Sequence, residues 1–121
     1  MHLEGSCYKV SSGKSNWTAA KSTCEAMGSK LAMVTSQAEQ QALATLNLSH
    51  RVWIGLRRDP KNISRWFWVD GSRATYTHWG DGEPNNGIGN EDCTYMFPPD
   101  GKWNDAPCSW TVHYVCDTNG R

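Results

Sequence analysis

Apolar residues recur along the first part of the chain at steps of three and four. Trp17, Ala20, Cys24 and Met27 form such a stripe after Ser15-Asn16, and it ends at Gly28, which predicts a helix. Leu31–Val34 is a short unbroken apolar run with strand character. Ser36 and Glu39 make a capping box ahead of Ala42, Leu43 and Leu46, so a second amphipathic helix is expected within residues 1–48. After that the period changes. Val52–Leu56 and Trp66–Val69 read as strands, the second closed by the turn signal Asp70-Gly71. From Trp79 to Asn90 the chain is rich in glycine, carboxylates and amides and cannot supply a regular core element, so a long loop is expected. Cys93–Phe97 and Thr111–Cys116 resume strand character, with Pro98-Pro99-Asp100-Gly101 and Trp103-Asn104-Asp105 between them. Two helices first and antiparallel-looking strands after them predict an α+β fold. Neither a repeat nor a linker interrupts the pattern, and residues 1–121 read as one domain.

Composition narrows the class. With 38% apolar and 20% charged residues in 121, the chain is globular rather than disordered. Twelve basic residues balance twelve acidic ones, which argues against nucleic acid or an anionic membrane as partner. No stretch approaches the roughly 20 apolar residues of a membrane span. Met1–Gly5 has neither the basic start nor the apolar run of a signal peptide, so Met1 reads as the start of a mature or expressed form. Five cysteines, Cys7, Cys24, Cys93, Cys108 and Cys116, contain no C-x-x-C pair, which disfavours a zinc ribbon or a thioredoxin-type site. Two bridges and one leftover thiol is the economical reading, and it points to an oxidising, extracellular compartment. Four cysteines allow three connectivities, and spacing does not choose among them. Sequons at Asn16, Asn47 and Asn62 agree with secretion and add little weight.

Four short motifs stand in order inside this frame: Trp53-Ile54-Gly55-Leu56, Glu83-Pro84-Asn85, Glu91-Asp92-Cys93 and Trp103-Asn104-Asp105. Together with the cysteines they resemble a C-type lectin-like domain, over nearly the whole chain from Cys7 to Cys116. The resemblance implies two helices flanking two small antiparallel sheets, bridges Cys24–Cys116 and Cys93–Cys108, and a long loop region that binds calcium.

The residue chemistry agrees with that implication. Calcium takes six to eight oxygen ligands. Glu83, Asn85, Glu91, Asn104 and Asp105 offer three carboxylates and two amides, with the Asp105 carbonyl a plausible further contact. The set contains no imidazole or thiolate to favour zinc. In the family these positions form the sugar-binding calcium site. An asparagine whose oxygen faces the metal keeps two N–H donors, and a carboxylate keeps spare lone pairs. One sugar hydroxyl can therefore coordinate calcium, accept from Asn85 or Asn104, and donate to Glu83 or Glu91. Pro84 is expected to be cis, because the side chains of Glu83 and Asn85 must face one ion, against a base rate of about 5–6% for X-Pro bonds. The Glu-Pro-Asn order resembles the mannose type: mannose, glucose, N-acetylglucosamine and fucose, held through vicinal hydroxyls. Asn86-Gly87-Ile88-Gly89 supplies no aromatic residue of the kind that accompanies galactose binding.

The departures carry information too. An auxiliary calcium held by Asp59, Asn86 and Asp92 is expected to be weak or absent, since Asn86 stands where aspartate is common and Arg57-Arg58 crowd the region. Cys7 lacks the upstream partner seen in longer forms of the domain. A partner in a longer chain, an interchain bridge making a homodimer, and a free thiol are its three fates. Asp81-x-Glu83-x-Asn85 imitates an EF-hand, but its glycine falls at the seventh position and Pro84 interrupts. The four histidines accompany no nucleophile motif. Carboxylates sharing calcium suit coordination rather than a protonated general acid, so no enzyme is expected. Trp17, Trp53, Trp66 or Trp68, and Trp103 are expected in the core, with Trp79 and Trp110 left as candidates for sugar stacking. The reading that results is a secreted calcium-dependent lectin for mannose-type glycans on microbial or host surfaces, plausible in innate immunity. The alternative is a protein-recognition module of the same fold that does not use sugar.

Overall fold

The computed structural model describes residues 2–3, 6–44, 50–59, 61–80, 92–97 and 101–117. Both helices form where the apolar stripes place them. The first, α1, spans Trp17–Ala26, and Asn16 caps it by accepting the Ala19 N–H at 2.8 Å. It stops at Met27, after which Gly28 takes φ 74°, a conformation that side chains other than glycine resist. The second, α2, spans Gln37–Ala44. Ser36 caps it, its Oγ accepting the Glu39 N–H at 3.2 Å. The Glu39 carboxylate reaches the backbone N–H and hydroxyl of Thr35, one residue outside the expected box. Leu46 and the sequon at Asn47 lie outside the described residues.

The described residues form eight strands, numbered in chain order: β1 His2–Leu3, β2 Ser6–Val10, β3 Lys30–Leu31, β4 Val52–Asp59, β5 Asn62–Trp68, β6 Cys93–Phe97, β7 Lys102–Ala106 and β8 His113–Asp117. The apolar run at Leu31–Val34 is strand only at its start. Its remainder is buried and donates the Ala32 N–H to the Val115 carbonyl at 2.9 Å. Most pairings are antiparallel, as expected, but β4 and β8 run parallel. That single parallel pair joins the ladders into one path, β1-β2-β8-β4-β6-β7, with β3 beside β8 and β5 beside β4.

Strand alternation makes this sheet a partition between two apolar clusters. Val52, Ile54 and Leu56 of β4 face one side with Trp66, Trp68, Met96, Trp103 and Val115. Trp53 faces the other, with Trp17, Ala20, Cys24, Tyr95, Ala106 and Cys116. The described disulfides, Cys24–Cys116 and Cys93–Cys108, both belong to the second side. Gly55 shows why the Trp53–Leu56 motif needs a glycine. Its N–H donates to the Ala32 carbonyl at 2.7 Å, and a Cβ there would meet the Leu31 carbonyl oxygen at 2.9 Å. The five core tryptophans, Trp17, Trp53, Trp66, Trp68 and Trp103, are all at most 6% exposed.

Candidate functional site

The motif Trp103-Asn104-Asp105 lies on β7, a strand that the sequence pattern does not announce because polar residues interrupt it. Its register with β6 is regular: Trp103 opposite Met96, Asn104 opposite Tyr95, Asp105 opposite Thr94. Alternation therefore sends Trp103 and Asp105 to the tryptophan side and Asn104 and Ala106 to the disulfide side. Asn104 is half-buried, its Nδ2 3.5 Å from the Tyr95 hydroxyl. The Asp105 side chain is completely buried.

Trp103 is the anchor of that strand. Its ring packs edge-on against Trp68, Tyr76 and Trp79, with centroids 5.7, 6.1 and 5.6 Å away. Its Nε1–H donates to Gln40 Oε1 at 2.9 Å, while Gln40 Nε2–H donates to the Gly101 carbonyl at 2.8 Å. One glutamine on α2 thus fixes both the turn that enters β7 and the indole at its centre. The sequence reading missed Gln40, since a polar residue on a helix carries no mark of what it reaches sixty positions away.

The segment carrying Glu83, Pro84, Asn85, Asn86 and Glu91 lies outside the described residues, and with it the expected cis bond. Its two flanks are described, one bonded to β7 directly and the other linked to it through Arg58 of β4. On one side the Trp103 N–H donates to the His78 carbonyl and the Gly80 N–H donates to the Trp103 carbonyl, each at 2.9 Å. On the other, the Asp92 carbonyl accepts the Arg58 N–H at 2.8 Å, and Arg58 reaches Asp105. Glu83 is three residues beyond Gly80, a reach of at most roughly 10 Å along an extended chain. Glu91 adjoins Asp92.

Arg58 is the feature that sequence reasoning registered only as crowding. It is 7% exposed. Its Nη2 donates to Asp105 Oδ2 at 2.7 Å, its Nε lies 3.2 Å from Asp92 Oδ1, and its guanidinium carbon is 4.3 Å from the Trp66 ring centroid. Asp59, the next residue, accepts the Lys61 N–H on Oδ1 at 2.9 Å. Arg57 points away, over the Trp17 ring at 5.5 Å.

Among the described residues no three His, Cys, Asp or Glu side chains converge on a common metal position. The donor chemistry nonetheless fits a hard cation. Asp105 offers a buried carboxylate whose Oδ2 accepts from Arg58, and a carboxylate is a hard oxygen donor of the kind calcium takes. The neighbouring Thr94 hydroxyl, buried opposite Asp105, has no hydrogen-bond partner among the described residues and adds another oxygen. Cys93 and Cys108 are closed in a disulfide and offer no thiolate. Of the two tryptophans left open as stacking surfaces, Trp79 is packed against Trp66 at 4.9 Å. Trp110 is 41% exposed, but it lies beside Arg51 near the start of β4, at the other end of that strand from Arg58.

Comparison with known proteins gives consistent results. The family described as Lectin C-type domain matches residues 13–118. The hepatic lectin of Gallus gallus is 40% identical over 118 residues, covering 96% of this chain and 56% of that one. The C-type lectin mannose-binding isoform of Notechis scutatus scutatus is 38% identical, covering 93% of this chain and 76% of that protein. Among solved structures, the cow C-type carbohydrate-recognition domain of CD23, determined in the presence of a GlcNAc2Man3 oligosaccharide, superposes with a TM-score of 0.88 at 33% identity, over 97% of this chain and 90% of that one. The chain spans about half the length of the hepatic lectin, and 37% of C-type lectin domain family 4 member G of Mus musculus.

Proposed function

The chain belongs to the C-type lectin domain family, a carbohydrate-binding rather than an enzymatic one, and from that premise we propose that it is a calcium-dependent lectin for mannose-type sugars. Glu83, Asn85, Glu91, Asn104 and Asp105 hold the ion. When bound, calcium supplies open coordination positions that two adjacent hydroxyls of a hexose can fill. The protein's own groups do the selecting. Asn85 and Asn104 donate N–H groups to those hydroxyls, Glu83 and Glu91 accept from them, and the donor–acceptor order reads their relative orientation.

One observation supports this reading above the rest. One flank of the loop that carries Glu-Pro-Asn and Glu91 is hydrogen-bonded to β7, which carries Asn104 and Asp105, and the other to Arg58 of β4, whose side chain donates to Asp105. The Notechis relative named for mannose binding and the CD23 domain solved with a mannose-containing oligosaccharide point the same way. As an extracellular single domain with a shallow site, the chain would bind one sugar weakly and gain strength through multivalency, for which an interchain bridge at Cys7 is one route. Recognition of microbial or host glycans in innate immunity is the corresponding biological role.

The test is retention on mannose–agarose. The protein should bind in millimolar calcium, elute with EDTA or free mannose, and resist elution by galactose. Retention that ignores the chelator would remove calcium from the account and favour the sugar-independent use of the same fold.

A further inference from the structure

Among the described residues Arg58 is the only buried basic side chain. A buried charge is unfavourable unless it is paired and hydrogen-bonded. Arg58 is hydrogen-bonded to the Asp105 carboxylate, lies within ion-pair distance of the Asp92 carboxylate, and packs over the face of Trp66. Its own backbone N–H donates to the Asp92 carbonyl as well, which holds the main chain of β4 beside Asp92.

We propose that Arg58 is an internal cation of the calcium site. It stands where a second metal ion would otherwise be needed, ties Asp92 and Asp105 together whether or not calcium is bound, and restricts the chain to a single divalent ion. The inference rests on the calcium-binding reading above and goes beyond it, by assigning the site's stoichiometry and its metal-free integrity to one side chain.

Charge balance supports the assignment. Asp92 and Asp105 bring two negative charges to Arg58, and its guanidinium already offsets one of them. Less negative charge is therefore left there to hold a second divalent ion. A second ion among Asp59, Asp92 and Asp105 would also sit within a few ångströms of the guanidinium, where like charges repel strongly at the low effective dielectric of a buried site. The ligand count agrees. Asp92 and Asp105 each already have an oxygen turned to Arg58, and Asp59 Oδ1 is engaged by Lys61. In a cage of carboxylates alone, mutual repulsion opens the site when metal leaves. With a tethered guanidinium in place, Asp105 stays where calcium requires it.

Calcium stoichiometry, measured by titration calorimetry and equilibrium dialysis, tests this alongside melting temperatures in calcium and in EDTA. The wild-type chain should take up one calcium ion, as should Arg58→Lys, which keeps the charge. Arg58→Asp replaces the guanidinium with oxygen ligands. It should take up two ions, melt below wild type in EDTA, and show a calcium-induced rise in melting temperature at least about twofold larger than wild type. A purely structural arginine would change stability without changing the number of ions. Two ions in wild type overturn the proposal, and so does a folded Arg58→Asp that stops at one. If Arg58→Asp does not fold even in calcium, the count in wild type and Arg58→Lys decides: one ion in both sustains the proposal, and two in either sinks it. A wild-type chain that binds mannose with two ions defeats only the role of Arg58. A wild-type chain that takes up no calcium defeats the lectin reading, and this inference falls with it.

Discussion

The two faces of the central sheet are held by different means. On one face, α1 and the tryptophans Trp17 and Trp53 pack around two disulfides, and the cluster is covalently stapled. On the other, no described disulfide takes part. Trp66, Trp68 and Trp103 pack by shape, and buried polar groups hold the register through Gln40–Trp103 and Arg58–Asp105. On the first face the bridges fix the cluster, and among the described residues Asn104 is the one expected ligand that faces it. The second needs special orientations, because a carboxylate meant for a metal must be aimed, and aiming requires directional bonds. The disulfides thus lie on one side of the sheet, and the directional bonds that aim Asp105 lie on the other, while Asn104 faces the disulfide side.

The largest effect that would sharpen this contrast comes from the staple. Cys24–Cys116 spans 92 residues of sequence, and Cys93–Cys108 spans 15. In the chain-entropy model closures of about 100 and 15 residues contribute roughly 4.7 and 3 kcal/mol. The double substitution Cys24→Ser, Cys116→Ser should therefore lower stability by roughly 2–5 kcal/mol, read as a shift in urea midpoint. Calcium affinity of the fraction that remains folded should stay within about twofold of wild type. A large loss of affinity in the folded fraction would show that the two faces are not separable.

Gln40→Leu is the converse experiment. It keeps volume on α2 but leaves the Trp103 N–H and the Gly101 carbonyl without their partner, at roughly 1–3 kcal/mol for each buried group stranded. Its total cost is comparable to that of the lost staple. Its effect on mannose retention should be larger, because Trp103 carries Asn104 and Asp105 beside it on β7. A variant that loses stability and keeps full binding would contradict the division of labour.

How much of this was legible beforehand depends on the range over which each signal acts. The apolar stripe and Asn16 define α1 locally, and the structure returns them nearly residue for residue. β6 likewise matches the expected Cys93–Phe97. β7 escaped because Lys102, Asn104 and Asp105 break its apolar pattern, and its strand character is imposed by pairing with β6 and by the burial of Trp103. The four motifs identify the family by their order, a property of the chain alone. Gln40 and Arg58 differ in kind: their meaning lies 63 and 47 residues away, in Trp103 and Asp105, and no local pattern encodes a partner at that distance. The parallel pairing of β4 with β8, which sets the two faces, was invisible for the same reason.

The smallest predicted effect lies outside both clusters and serves as the control. Asp70 sits in the exposed turn after β5, where its Oδ1 accepts from the Ser72 hydroxyl at 2.6 Å and the Ser72 N–H at 2.9 Å. The hydroxyl bond, followed by the backbone bond, holds the Asp70 carboxyl below the ordinary aspartate range, against a small opposing effect of burial. A carboxyl with a depressed folded-state pKa stabilises the fold fully above its unfolded value, near 3.9, and that contribution disappears as pH falls through the lower folded value. Asp70→Asn should therefore cost less than about 0.5 kcal/mol at pH 7, the range of ordinary surface substitutions, and the gap to wild type should close below about pH 4. Mannose retention and calcium stoichiometry should not change, since Asp70 touches neither the disulfide face nor the Gln40–Trp103 and Arg58–Asp105 bonds. If this remote carboxyl disturbed binding as strongly as Gln40→Leu, aim would be a property of the whole domain rather than of one face of its sheet.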